Sequence, residues 1–430
     1  MSKRHIRQLV ITGLSFGSFV AVLGSLGVYH VLTRTADVPE ALREAHAVGI
    51  PTSEEAFAEF LGGTDDGTAS EAVGKIEAVF VEHTPSLQYS LARNLDEDEL
   101  RGPDFRRAMT NLEPALSLVD DLAKRDACRF PIEPNEGGVR FLEVRTLRNA
   151  GRVLANRAKM HALDGQDTQA FDDIITIRLL ARHMRDQHSF RHLMCSIALD
   201  ATAMTALADF ITYPGASENL VSEAAHILAA YDVEADLQKT FRGEAYVHWS
   251  ITGTAPLKDD DPLAVFKRVE QDFIRREVLA YHVAKIRTIT DAGDDLKKIQ
   301  LASEEHKNSY TAIEPAMKFV VAKSDASQAV LLNYERNVAR LKMMVAVAEI
   351  GERVASVDPL PAALTLRARD PYADRTLRYV PVEDGFDIIS VGRDGVDDKG
   401  ATGRAFSDLQ ARSDLVLSIR SGQRPRLRGR

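Results

Sequence analysis

Apolar and polar positions along the chain fall into three regimes. One uninterrupted apolar run lies near the amino terminus, a long series of helix-period segments follows, and short β-branched runs close the chain. From Leu9 to Leu32 no Lys, Arg, Asp or Glu interrupts the run, and Lys3, Arg4 and Arg7 precede it. Its length matches what a helix needs to cross a hydrocarbon core of roughly 30 Å. The pattern therefore predicts a cytoplasmic segment over 1–8 and a transmembrane helix over 9–32.

Beyond the run, Ser53-Glu54-Glu55 opens a short helix that ends at Leu61-Gly62-Gly63, and a second helical pattern covers Thr68 to His83, stopped by Pro85. A further helix is expected from Asp104 to Lys124, then an irregular link through Cys128-Arg129-Phe130-Pro131 and Pro134 to Gly138. Val144, Leu147, Gly151, Leu154, Ala158 and His161 recur at three- and four-residue spacing, which is one face of a helix. Asp164-Gly165 stops it, and Asp167 caps a second helix carrying Phe171, Ile174, Ile175, Leu179 and Ala181. So short a turn predicts an antiparallel αα-hairpin. Helical segments continue over Phe190–Ile211, Asn219–Ala230, Glu234–Ile251, Pro262–Thr290 and Ala329–Ala355, all within one helical domain over 33–357.

The texture changes at Pro359. Leu377–Val380, Phe386–Val391 and Leu415–Ile419 read as short strands of a small β-rich module over 358–419. Five arginines among the last eleven residues predict a solvated, disordered end over 420–430. The expected fold class is mainly α: a transmembrane helix, a helical-hairpin array or bundle, and a small antiparallel β module.

Basic residues before the apolar run and a mixed flank after it place the amino terminus in the cytoplasm. The bulk of the chain is then expected outside, as a single-pass inner-membrane protein facing the periplasm. A cleaved signal peptide is the competing reading, but its apolar region is usually about 7–15 residues and ends at small residues. Here Gly27-Val28-Tyr29-His30 makes a poor cleavage site. Gly13, Gly17, Ala21 and Ser25 put small side chains in one stripe of the span, a geometry for self-association, although glycine is common in membrane helices anyway. Gly13-Leu14-Ser15-Phe16-Gly17 matches the nucleophile-elbow pattern of hydrolases only by letter, since that serine needs a strand-to-helix turn.

Composition adds limits. With 45% hydrophobic and 27% charged residues the chain is ordinarily globular, and a net charge of −9 gives no reason to expect nucleic acid as a partner. Cys128 and Cys195 are the two cysteines; they could bridge in an oxidising compartment or stay as buried thiols.

Two stretches resemble known families. Cys128-Arg129-Phe130-Pro131 through Ile197, with Arg148, Leu154, Ala158, Gly165, Ala170 and Leu179-Leu180-Ala181-Arg182-His183, resembles a group of bacterial single-span envelope proteins for which no activity is established. That resemblance implies the order span, helical array, β tail. Asp370-Pro371-Tyr372, Leu377-Arg378-Tyr379, Gly385 through Gly392, Asp394-Gly395, Asp397-Asp398 and Asp414-Leu415 are similar to the carboxy-terminal β region of the major pseudopilin of type II secretion. Acidic residues of the matching loop bind calcium in that family, so the resemblance implies Asp394, Asp397, Asp398 and Asp414 as Ca2+ ligands. The pilin-type amino terminus is absent, and the resemblance covers the tail alone.

Physical chemistry bears on the same loop. Asp394, Asp397 and Asp398 crowd like charges into a Gly-flanked turn, which a hard cation with oxygen ligands would relieve; a solvated acidic turn needs no cation. His188, His192 and Cys195 share one helix face, as zinc ligands or as a polar stripe against neighbouring helices. Arg242-Gly243-Glu244 with Tyr246 and Trp249 offer either a ligand groove or an inter-helix contact. No phosphate-cradling glycine loop and no Cys-x-x-Cys pair occurs. The expected function is a membrane-anchored envelope scaffold or interaction protein, linked to a secretion or surface machine; the alternative is a periplasmic hydrolase using His183, His188 or Glu244 between helices.

Overall fold

In the computed structural model the described residues are 38–62, 67–91, 95–130, 133–135, 138–211, 236–251, 264–292, 296–313, 326–354, 363–382, 385–392, 396, 414–420 and 423–428. The span predicted over Leu9–Leu32, its small-residue stripe and the helix expected at Asn219–Ala230 lie outside them. Among the described residues no helix is long and apolar enough to cross a membrane.

The chain is mainly helical, with α1 Val38–Ala47, α2 Glu54–Phe60, α3 Thr68–Glu82, α4 Thr84–Ser90, α5 Glu97–Arg101 and α6 Pro103–Ala123 before a short hairpin, β1 Glu133–Asn135 and β2 Gly138–Arg140. The central helices are α7 Leu142–Leu163, α8 Asp167–Arg185 and α9 Phe190–Ile211. Then come α10 Leu237–Ile251, α11 Ala264–Ala292, α12 Leu296–Ile313 and α13 Ala326–Val354, and last β3 Arg378–Val382, β4 Gly385–Ser390, β5 Leu415–Arg420 and β6 Gln423–Arg428.

Local signals account for most boundaries. Ser53 Oγ caps α2 by accepting from Ala56 N at 3.1 Å. The helix expected to stop before Pro85 does end there, at Glu82, and Pro85 sits in the first turn of the next helix, α4, where a missing N–H costs nothing. Asp96 and Glu99 form a reciprocal capping box that starts α5. The predicted α7–α8 hairpin is present: Gly165, at φ +72, ends α7 while Gln166 N donates to His161 O at 2.8 Å.

Two apolar cores are knitted together by shared helices. The first gathers α3, α6, α7 and α8 with Leu199, Ala203 and Leu207 of α9 and Met343 and Met344 of α13. The second gathers Ala45 and Ile50, Phe190, Leu193 and Ile197 of α9, Phe241 of α10, Val283 and Ile286 of α11, and Val330 and Leu331 of α13. Thus α9 and α13 each bury one part in either core. Gly151 of α7 lets α9 come so close that an added Cβ would overlap Leu199.

The terminal strands form one antiparallel sheet in the order β3-β4-β5-β6, with Tyr379 opposite Ile388 and Ile388 opposite Leu417. Leu377, Tyr379, Phe386 and Ile388 belong to the first helical core, so the β module and the helical body share one interior. The arginine-rich end, expected to be disordered, instead contributes β6. Charge does not prevent a strand from pairing at a sheet edge, where charged residues and Pro are tolerated; here the register shifts between Ser418 and Arg420, next to Pro425 of the opposing strand.

Buried Asp370 fastens this sheet. Its carboxylate accepts from Val391 N at 2.7 Å, Ser390 Oγ at 2.8 Å and Tyr372 N at 3.0 Å. Asp370→Ala leaves those donors without their acceptor, so a loss of about 2–3 kcal/mol is expected. Urea unfolding followed by circular dichroism checks it.

Candidate functional site

His183, His188, His192 and Glu244, singled out in the sequence, gather around the turn between α8 and α9 and the face of α10 that covers it. His188 in this turn has φ +48, an uncommon conformation for a non-glycine residue. Gly243 of α10 lies directly against it: an added Cβ would penetrate the His188 carbonyl oxygen. The next residue, Glu244, reaches the start of α9, where its Oε2 accepts from Phe190 N at 2.8 Å. The carboxylate thus sits at the positive end of the α9 dipole. Burial pushes its pKa up, but the bonds from His248 and Phe190 N outweigh burial and hold it below the usual carboxylate range.

Ser189, immediately before α9, brings a second acid–base group together. Its Oγ lies 2.8 Å from His192 Nδ1, and His192 Nε2 lies 2.8 Å from Glu143 Oε1 of α7. A carboxylate can only accept, so Nε2 carries the hydrogen and Nδ1 accepts from the serine hydroxyl. Ser189 Oγ in turn accepts from His192 N at 3.4 Å, closing a cap on α9. The order carboxylate, imidazole, hydroxyl is that of a hydrolytic triad, yet Ser189 and His192 are each only 1% exposed.

The remaining candidates hold elements together. His183 lies 3.1 Å from Ala123 O, and burial lowers its pKa. Gln187 donates to Cys128 O and His183 O and accepts from Phe130 N, which docks the Cys128-Arg129-Phe130 segment on the end of α8. Cys128 and Cys195 are both buried free thiols, and burial pushes Cys195 up to about 12. The aromatic face of α10 is filled by α2: Tyr246 stacks on Phe57 with ring centroids 4.2 Å apart. Trp249 packs beside Tyr246 at 6.2 Å, under the Arg275 guanidinium.

His188, His192 and Cys195 do not assemble as zinc ligands. His188 meets Phe60 edge-on, His192 is bound to Glu143 and Ser189, and Cys195 Sγ lies 3.5 Å from Val144 O. Among the described residues no three metal-ligating side chains converge. Of the proposed calcium ligands, Asp394, Asp397 and Asp398 lie outside the described residues; Asp414 immediately precedes β5.

Several charged residues inside the body escaped the reading of the sequence. Asp200 of α9, fully buried, accepts from Arg178 at 2.5 Å, Arg185 at 2.9 Å and Asn337 at 3.1 Å, joining α8, α9 and α13. Arg157 of α7 grips Asp173 of α8, with a shortest contact of 2.6 Å, and also reaches Glu113 of α6. Burial, opposed by Arg157, pushes Asp173 up to about 6. Ile174, Ile177, Arg178, Ala181 and Arg185 share one helical face, so the spacing that marks a core stripe also marked these arginines as buried. Comparison with known protein families, curated proteins and solved structures finds no match to this chain.

Proposed function

We propose that this chain is a membrane-anchored scaffold of the bacterial envelope whose helical body serves as a rigid platform for partner proteins. Glu244 carries the reading. It was one of three candidates for acid–base chemistry, and its carboxylate is spent on the α9 start, as a brace between helices, and on His248 of its own helix. His183 and Gln187 serve in the same way at the other end of the turn. The anchor proposal draws support from the approach of α1, which begins at Val38, soon after Leu32, and is bound into the second core through Ala45 and Ile50. Five connecting residues span at most about 18 Å, which would keep the body near the membrane surface.

Fractionation tests the anchor: the full-length chain is expected in the membrane fraction after carbonate extraction, and recovery as a dispersed cytosolic species overturns the proposal. Crosslinking in intact envelopes is expected to yield defined protein adducts that Glu244→Gln leaves in place. The hydrolase alternative draws on one observation, the Glu143–His192–Ser189 order. A fluorophosphonate probe decides it. Labelling that disappears in Ser189→Ala would replace the scaffold reading, whereas absence of labelling is what the scaffold reading requires.

A further inference from the structure

Glu244 also heads a chain of titratable side chains whose farther members a platform role leaves unused. Glu244 Oε1 lies 3.1 Å from His248 Nε2, and His248 Nδ1 lies 3.0 Å from His282 Nε2 on α11. The carboxylate accepts, so His248 Nε2 carries a hydrogen. In a neutral His248, Nδ1 is then a bare acceptor and His282 Nε2–H donates to it. His282 Nδ1 remains a buried lone pair without a hydrogen-bond partner among the described residues. Every hydrogen in the chain is assigned by these contacts, and all of them point towards Glu244.

We infer that Glu244, His248 and His282 form a proton-operated latch, closing α10 onto α9 and α11 near neutral pH and releasing it in acid. A proton added to His282 Nδ1 places a cation in an apolar core that already faces two other basic groups. Lys285 of α11 donates to Ser327 Oγ at 2.9 Å and lies over the Tyr281 ring, and His306 of α12 packs against the same tyrosine, 4.9 Å between centroids. A proton added to His248 Nδ1 sets two N–H groups head to head across 3.0 Å. A proton on Glu244, which Arg191 of α9 also faces, weakens the acceptor that holds both His248 and Phe190 N. Uptake at any of the three therefore disfavours the closed arrangement: by a buried cation at His282, by opposed N–H groups at His248, or by a weakened acceptor for Phe190 N at Glu244.

The sign of the pH dependence follows. Burial, then the nearby His248, Lys285 and His306, hold His282 well below its ordinary value of 6.5, and burial lowers His306 as well. A released segment titrates near that ordinary value and binds more protons than the closed one. Closure is fully stabilised above it and weakens progressively as the pH falls below it.

Trp249, the single tryptophan, lies on α10 and reports the release directly. In the full chain, titration from about pH 7.5 to about pH 4.5 is expected to shift its emission to the red before helical circular dichroism is lost. His282→Gln keeps an N–H donor for His248 but takes no proton, and should lower the midpoint by about one pH unit. Should that variant not fold at neutral pH, His306→Gln, which removes one facing basic group, should lower the midpoint in the same direction. An emission that moves only with global loss of helicity overturns the latch. So does an unchanged midpoint in whichever variant folds.

Discussion

Asp200→Ala is expected to be among the most damaging single substitutions in the chain, costing about 3–5 kcal/mol of folding stability. The aspartate is fully buried and is the carboxylate to which both Arg178 and Arg185 donate, with Asn337 as a third donor. Removing it leaves two like charges inside a low-dielectric interior with their shared counter-ion gone. Asp200→Asn keeps an acceptor oxygen without the charge and should fall between wild type and Asp200→Ala. Urea midpoints at neutral pH decide the order. Glu71→Ala, which breaks the exposed pair with Lys75, is the control and should leave the midpoint unchanged. Equal midpoints for Asp200→Ala and that control would mean that the buried cluster contributes nothing.

Gly243→Ala is the second. Its added methyl meets backbone, the His188 carbonyl, and not the tip of a side chain that could swing aside. Either α10 moves away or the His188 turn rearranges. Moving α10 would also strain the bond from Phe190 N to Glu244. A loss of about 3 kcal/mol is expected, at the upper end of ordinary overpacking. The accompanying observable is Trp249 emission at neutral pH, which should already be red-shifted in the folded variant. Gly67→Ala provides the contrast: its Cβ meets nothing, so its cost comes only from the left-handed backbone at φ +81.

The long helices were legible because their apolar spacing is uninterrupted, as along Leu147, Leu154 and Ala158 of α7. Pro85 gave the end of α3 but not the start of α4, because a proline that cannot continue a helix can begin one, and the letters alone do not say that it does. The arginine-rich end misled because charge opposes burial but not backbone pairing, and β6 needs only the free edge of β5. At the candidate site the individual residues were visible but their partners were not. His192 and Glu244 stood out by type, whereas their partners Glu143 and Phe190, and His282 as the partner of His248, come from distant parts of the chain, and no local spacing encodes such long-range pairs. Asp200 was hidden for a related reason. One acidic letter on an apolar helix looks like a solvated interruption until the two arginines of the preceding helix are seen to turn inward.

Because α9 and α13 each belong to both cores, the helical body has no seam at which it could be divided into autonomous halves. Truncation after α9 would strip that helix of α13, and removal of the segment before α7 would strip α7 of α3, α4, α5 and α6, and α8 of α6. Chain-shortening experiments on this protein should therefore yield aggregated fragments, and co-expressed halves should regain solubility only as a non-covalent pair.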